Sequence, residues 1–343
     1  MSPGNPDDGR AARNGLRPLA LVSAALLLLL AATAAPSYGQ SPGRKLIVTA
    51  AGARLRERPE TAAAEAGRLQ LGSVVDGLER SAERSKVGSA EDFWHLVAAP
   101  GGARGWVFGG LVAPFEPARR DAVYLKLAQD RLANSSATFA DLSELVRFLD
   151  RAAREVKQRN ALAELELARL DALARSLASV PFEGLDKPPY KTWTDERQKE
   201  IVYSEPAGQW YVNSNALWDL QRRYSDLPAA ERIAWAAAQT PLPGECEGYL
   251  PCYIYRETET SGRYLKLYPR GAHADAALSN LAESLGQITE SLRGGNSPFE
   301  VPREDRPEFR RSVAALRAQL ALVPAPKKAR VLAQLDEVAR RFR

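Results

Sequence analysis

Residues 93–108 read FWHLVAAPGGARGWVF, and this run determines the architecture of the first part of the chain. Aromatic and aliphatic residues fill its two ends, and Pro100-Gly101-Gly102 lies between them. Two β-rich runs joined by a Gly-Gly turn are typical of a β-hairpin. Short apolar runs at Leu46–Val48 and Val74–Leu78 indicate further strands. We therefore expect about five short strands over residues 43–117, closed into a small barrel because free sheet edges are unfavourable.

The composition and periodicity of the sequence change after this predicted barrel. Residues 118–343 are rich in Ala, Leu, Arg and Glu, and their apolar positions recur with helical spacing. Thr138 and Asp141 are placed as an N-cap pair before one helix. Residues 181–208 contain several Pro and Gly residues, which predicts a long irregular connection. The expected fold class is a multidomain β + α protein, with a small β-barrel followed by an all-helical domain.

Residues 1–40 have the composition of a secretory signal peptide. Three arginines within residues 1–17 precede an apolar run over residues 19–35, and Pro36 and small residues follow it. The apolar run lies at the short end of the range needed to span a bilayer, which favours cleavage over retention as an anchor. We expect a periplasmic or secreted protein. It would be attached to a membrane only if the leader stayed uncleaved.

The cysteines and histidines limit the chemistry that the chain can perform. The sequence has 2 Cys and 2 His among 343 residues, whereas a structural zinc site takes four such ligands. The HExxH, Gly-x-Ser-x-Gly and Walker motifs do not occur. We therefore predict no metal, no cofactor and no catalytic residue. Cys246 and Cys252 lie close in sequence, and a disulfide is their expected state in an oxidising compartment.

Positive charge is concentrated at the C-terminus. The net charge of the chain is +5, and residues 302–343 hold eleven Lys and Arg against five Asp and Glu. For an exported protein, the available anions are wall polymers or lipid headgroups, so no nucleic-acid partner is expected. Lys and Arg on solvated helix faces and near helix C-termini explain this excess of positive charge without a ligand. We favour this explanation.

Several short motifs follow one another through the predicted barrel. In order, they are Ala53–Pro59, Gly67–Gly72, Trp94–Val97 and Gly102–Val107. This series resembles the bacterial SH3-like (SH3b) domains of cell-envelope proteins, which run through Leu-x-Val-Arg-x-x-Pro, Gly-x-Leu-x-x-Gly, a Trp strand and a Gly-Trp-Val close. The sequence departs from that pattern in a polar insertion, Ser81–Asp92, and in Ala53, where a larger apolar residue is usual.

The resemblance implies a function as well as a fold. Domains of this family bind cell-wall peptide or an envelope protein partner, so Arg56, Trp94, Trp106 and Phe108 become candidate ligand-binding residues. Small barrels also use such Trp residues for packing, and that alternative stays open. We therefore favour an exported, non-catalytic SH3-like protein that binds cell-wall peptide or an envelope protein. The helical domain would provide a second interaction surface.

A helical joint in the second part has a resemblance of its own. Tyr264–Leu278 combines an aromatic-Pro helix end, a turn at Gly271 and a new helix that starts with small residues. This looks like the helix–turn–helix joint of tetratricopeptide-type proteins, and we place a tetratricopeptide-like region around residues 253–293. The sequence shows no clean repeat period, and stable solenoids need about three repeats.

The sequence also offers two enzymatic alternatives. Glu245 and Glu247 flank Cys246 and could serve a peptidoglycan-cleaving enzyme as a carboxylate pair. Cys252 with His273 is the one thiol–imidazole pair that a papain-like peptidase could use here, but Cys246 is a nearby oxidation partner.

Aromatic residues crowd into the stretch between residues 193 and 235. They are Trp193, Trp210, Tyr211, Trp218, Tyr224 and Trp235. They suit either a sugar or peptide groove or the packing of a helical core, and we favour the core.

Overall fold

A computed structural model describes the backbone of residues 39–342 and the side chains of residues 43–342. The predicted signal peptide lies outside the described residues, apart from the backbone of residues 39 and 40. The first part is a curled antiparallel sheet of seven strands with the order β3-β2-β6-β5-β4-β1-β7. The strands are β1 (Gly39–Val48), β2 (Ala53–Arg56), β3 (Glu65–Leu69), β4 (Val74–Val87), β5 (Ala90–Ala98), β6 (Arg104–Phe108) and β7 (Val112–Pro114). Helices dominate the second part, so the predicted layout of β followed by α is confirmed.

The predicted hairpin over residues 93–108 is present. Strands β5 and β6 pair antiparallel, with Trp94 opposite Phe108. Gly101 and Gly102 turn the chain with φ values of 94° and 90°, a region that residues with a Cβ rarely adopt. The polar insertion, Ser81–Asp92, lengthens the neighbouring β4–β5 hairpin, whose last pair joins Val87 to Ala90.

Both faces of the sheet carry apolar side chains. The inner face buries a cluster made of Leu46, Val48, Ala53, Leu55, Leu69, Val75, Val97 and Val107. The outer face buries Trp94, Trp106 and Phe108, with Val87, Leu96 and Leu111 packed against them. Successive residues of a strand point to opposite faces, so β5 and β6 contribute to both clusters.

Eleven α-helices lie within the described residues. They are α1 (Arg120–Leu132), α2 (Phe139–Glu155), α3 (Arg159–Ala178), α4 (Tyr190–Asp195), α5 (Ser214–Arg223), α6 (Ala229–Gln239), α7 (Leu250–Glu257), α8 (Arg263–Leu267), α9 (Ala274–Arg293), α10 (Arg306–Gln319) and α11 (Ala325–Arg341). A π-helical turn, Thr258–Gly262, connects α7 to α8. None of the described helices combines the length and the apolar character that a bilayer crossing requires.

Local capping sets the start of α2 as the sequence predicts. The Thr138 hydroxyl accepts a hydrogen bond from the Asp141 N–H, and the Asp141 carboxylate accepts one from the Thr138 N–H. This reciprocal capping box satisfies two backbone donors that the helix itself leaves free.

The expected irregular connection over residues 181–208 is wrong in part. Helix α4 lies within it, and a hairpin of β8 (Ile201–Ser204) and β9 (Gln209–Val212) begins at its end. The hairpin also departs from the all-helical domain expected for residues 118–343. Ile201 and Val212 pair across this hairpin, and both are buried in the core of the helical part. Each strand has only four residues, and Gly208 lies in the turn between them with φ +62°, so the local pattern resembles a loop.

The sheet and the helices share one core. Ile47, Leu71 and Phe115 belong to the same buried cluster as the helical side chains. The Glu144 carboxylate of α2 accepts hydrogen bonds from the backbone N–H of Leu71 at 2.6 Å and of Gly52 at 2.9 Å. These contacts fix α2 against the β3–β4 turn.

The predicted disulfide is formed. Cys246 and Cys252 are bonded, with their Cα atoms 5.4 Å apart. The loop that they close packs against the segment before α10: the Glu300 N–H donates to the Gly248 carbonyl at 2.9 Å, and the Leu250 N–H donates to the Glu300 carbonyl at 3.0 Å. The covalent link therefore closes a loop that backbone hydrogen bonds already hold.

Candidate functional site

A cleft of about 570 Å³ lies where the sheet meets α1 and α2. Lys45, Asp76 and the turn at Pro100 line it from the sheet. The charged and polar side chains that line it from the helices are Arg120, Tyr124, Arg151 and Glu155. We call it the junction cleft. Its volume is within the range of small-molecule and peptide side-chain pockets, roughly 300–1,000 Å³.

Three cations from three elements converge on the junction cleft. Lys45 stands opposite Asp76 in the β1–β4 register, and its Nζ lies 2.8 Å from an Asp76 oxygen. Arg120 is the first residue of α1, with its Nε 3.4 Å from a Glu155 oxygen. Arg151 of α2 donates from its guanidinium to the Leu71 carbonyl at 2.8 Å.

Tyr124 forms a hydrogen bond to Glu155 at the inner side of the cleft. Its hydroxyl donates to a Glu155 oxygen at 2.9 Å, and its ring packs edge-on against Phe148. Burial and the neighbouring carboxylate raise the pKa of Tyr124 to about 12. The phenol is therefore neutral at physiological pH, so it acts as a fixed hydrogen-bond donor and not as a proton acceptor.

The charge of the cleft is positive. Lys45, Arg120 and Arg151 face two carboxylates, Asp76 and Glu155. A second cavity of about 430 Å³ shares Pro117, Arg120 and Glu155 with it, and adds Arg119, Lys157 and Asp121. Cations outnumber carboxylates across both cavities, so the combined surface suits an anionic ligand. Guanidinium and ammonium groups bind a ligand carboxylate through charge-assisted hydrogen bonds.

The residues predicted from the SH3-like resemblance lie together on three neighbouring strands. Trp94, Trp106 and Phe108 are 3%, 7% and 4% exposed, and the Trp94 and Phe108 rings meet edge-to-face with centroids 5.6 Å apart. Arg56 lies opposite Trp106 in the β2–β6 register and donates to the Ala63 carbonyl at 2.9 Å. Ligand binding by these four stays a prediction, and the burial of the rings leaves little surface for it.

The residues of the two enzymatic alternatives lie in two places, the disulfide-bonded segment and the N-cap of α9. Glu245 and Glu247 are exposed on the disulfide loop. Cys252 is bonded to Cys246 and offers no thiol, and the His273 ring stacks on Trp235 with centroids 4.7 Å apart. In the part of the chain that the structure describes, no group of three or more His, Cys, Asp or Glu residues is placed to hold a metal ion.

The aromatic stretch divides between core and surface. Trp193, Trp218 and Tyr224 are buried, as the favoured interpretation predicts. Trp210, Tyr211 and Trp235 are only partly buried.

A charged network under Trp193 was not predicted. Arg169 of α3 binds both oxygens of Glu200, at 2.7 and 2.8 Å, and also bonds Asp150 of α2. The Arg197 guanidinium lies 3.6 Å from the centroid of the Trp193 ring. The network ties α2 and α3 to the β8–β9 hairpin. Its members are far apart in sequence and match no motif, so no sequence signal marks them.

In comparisons with known proteins, no family model, curated protein or solved structure matches the chain. Residue roles are therefore assigned from the geometry of the junction cleft.

Proposed function

We propose that the protein is an exported, non-catalytic binding protein of the bacterial cell envelope, and that its junction cleft holds the carboxylate-bearing peptide of the cell wall. The convergence of Lys45, Arg120 and Arg151 on one cleft carries the proposal. The ligand lies between sheet and helices, so the helical part supplies half of the binding surface.

Export and the SH3-like identity of the sheet are parts of the same proposal. The Cys246–Cys252 disulfide supports an oxidising compartment, as does the leader composition. The motif series over residues 53–107 supports an SH3-like barrel, and the antiparallel pairing of β2, β5 and β6 is compatible with it. Cell-wall peptide is the ligand class that the family resemblance implies, and it carries free carboxylates.

The cleft binds without performing chemistry. Arg120 keeps 35% of its side chain exposed, so a ligand carboxylate reaches its guanidinium without a rearrangement of the helix. Lys45, at 45% exposure, provides a second donor from the sheet. Tyr124 restrains Glu155 and through it the orientation of Arg120, which lowers the entropic cost of binding.

Co-sedimentation with intact cell-wall sacculi tests the proposal. We expect the wild-type protein to sediment with sacculi, and the double variant Lys45→Gln, Arg120→Gln to bind about tenfold or more weakly, because a hydrogen bond to a charged group contributes about 1.5–3 kcal/mol. Arg222→Gln is the matched control, since Arg222 is an exposed helix cation paired with Asp219. Its binding is expected to equal that of the wild type.

Two results would contradict the proposal. One is equal sedimentation of the wild type and the double variant. The other is a wild-type protein that ignores sacculi and is retained instead by an envelope protein, which would move the ligand to a different class of molecule.

A further inference from the structure

A second pocket, of about 340 Å³, lies beside the β8–β9 hairpin and shares no residue with the junction cleft. We call it the hairpin pocket. It is lined by Leu185, Asp186, Lys191, Thr194, Asp195, Tyr203 and Trp210. The hairpin supplies the two aromatic residues, and α4 with the segment before it supplies the polar ones.

One wall of the hairpin pocket is aromatic. Tyr203 and Trp210 are cross-strand partners, and their ring centroids lie 5.2 Å apart at an angle of 56°. Both rings are only partly buried, whereas Trp193, on α4, is fully buried. Phe182 is 71% exposed and lies near Gly208, in the turn of the same hairpin. Trp210 packs in part against the core, and the exposed parts of these rings and of Phe182 present apolar surface to solvent.

The other wall is polar but nearly balanced in charge. The Lys191 ammonium donates to both oxygens of Asp195, at 3.0 and 2.8 Å. About half of each side chain stays exposed, so the pair keeps free donor and acceptor capacity toward the pocket. Asp186 is exposed and adds two acceptor oxygens. With one cation and two carboxylates, this wall does not favour an anionic ligand, but it offers several hydrogen bonds to a neutral one.

We propose that the hairpin pocket binds a neutral pyranose ring of an oligosaccharide. The C–H face of a pyranose is apolar and packs flat on Trp and Tyr rings, while its equatorial hydroxyls both donate and accept hydrogen bonds. Trp210 and Tyr203 provide the stacking surface, and Asp186, Asp195 and Lys191 bind the hydroxyls. A small site that combines an apolar wall with a few fixed polar groups has the general character of ligand pockets.

Titration calorimetry on the full chain tests this site with two soluble probes, tetra-N-acetylchitotetraose and cellotetraose. We expect at least one of them to bind, and Trp210→Ala to weaken that binding about tenfold or more through the loss of stacking. Asp186→Asn keeps the shape of an exposed side chain and is expected to weaken binding several-fold. Tyr255→Ala is the matched control, because Tyr255 is 61% exposed and lies on α7.

The outcomes separate this site from the junction cleft. Arg120→Gln is expected to bind the oligosaccharide as the wild type does, whatever its behaviour with sacculi. Failure of both probes to bind the wild type would overturn the inference, as would binding that persists unchanged in both Trp210→Ala and Asp186→Asn. The Asp186 variant keeps the test decisive if Trp210→Ala does not fold.

Discussion

Gly72 is a residue at which the sheet part and helix α2 approach each other closely. Its φ of +76° lies in the left-handed region, and a Cβ added there would overlap the ring of Phe148 on α2. In the sequence, Gly72 is recognisable only as the end of the Gly67–Gly72 motif. Phe148, which packs on it, lies more than seventy positions further along the chain, so the close approach has no local signal.

Replacing Gly72 with alanine tests this contact. We expect Gly72→Ala to lower the free energy of unfolding by about 3 kcal/mol or more, from backbone strain together with the overlap on Phe148. Gly88→Ala is the matched control, because Gly88 has φ +61° and nothing within 4 Å of an added Cβ. It should cost only about 1 kcal/mol, the strain alone. Equal losses in denaturant unfolding would exclude the packing contact.

The raised pKa of Tyr124 predicts that the stability of the protein depends on pH. Because the folded state holds its phenol in the neutral form, with the pKa raised to about 12, the stability it contributes is complete below pH 10 and is lost as the pH rises toward 12. The loss amounts to about 2–3 kcal/mol. The difference in tyrosinate absorbance between the wild type and Tyr124→Phe isolates this group. Glu155→Gln should lower the pKa of Tyr124, and a value near 10 in the wild type would contradict the account.

At the scale of elements, sequence patterns predict what is local and fail where burial depends on distant residues. The Gly-Gly hairpin, the Thr138–Asp141 cap and the disulfide each depend on neighbours in sequence, and each is present. The β8–β9 hairpin depends on burial of Ile201 and Val212 in a core made by helices before and after it. Because those helices are distant in sequence, the local pattern shows only the Pro and Gly residues, which predict a loop.

The disulfide loop gives a prediction at this scale. Reduction, or the double variant Cys246→Ser, Cys252→Ser, should cost about 2 kcal/mol, because the closed loop is short and constrains the unfolded chain only modestly. Backbone hydrogen bonds to Glu300 hold the loop independently, so the fold should persist. Thermal melting with and without reductant measures the difference. Complete unfolding on reduction at room temperature would contradict this view.

At the scale of the whole molecule, the shared core makes the junction cleft possible. The cleft takes its cations from positions 45, 120 and 151, each of which resembles an ordinary surface Lys or Arg in the sequence. Sequence motifs mark ligand-binding residues on the barrel only and leave the predicted second surface, on the helices, without named residues, because a motif marks residues on one element. A site assembled from a strand and two helices becomes visible only when their packing is known.

Glu144 tests the coupling between sheet and helices. Its carboxylate accepts two backbone hydrogen bonds from the sheet part, so Glu144→Ala should lower the free energy of unfolding by about 2–3 kcal/mol. Glu308→Ala is the control, since Glu308 is an exposed helix residue paired with Arg311, and its effect should stay within about 0.5 kcal/mol. Tryptophan fluorescence and far-ultraviolet circular dichroism should report one coincident transition in the wild type. Two separate transitions would show that sheet and helices unfold independently.

The central claim is that the junction cleft recognises the carboxylates of a cell-wall peptide. Calorimetric titration of the full chain with a soluble stem peptide, and with the same peptide amidated at its carboxyl groups, tests that claim most directly. The account predicts saturable binding of the free acid that weakens with added salt, weakens about tenfold or more in Arg120→Gln, and is absent for the amide. Equal binding of acid and amide, or no binding of either, would contradict it.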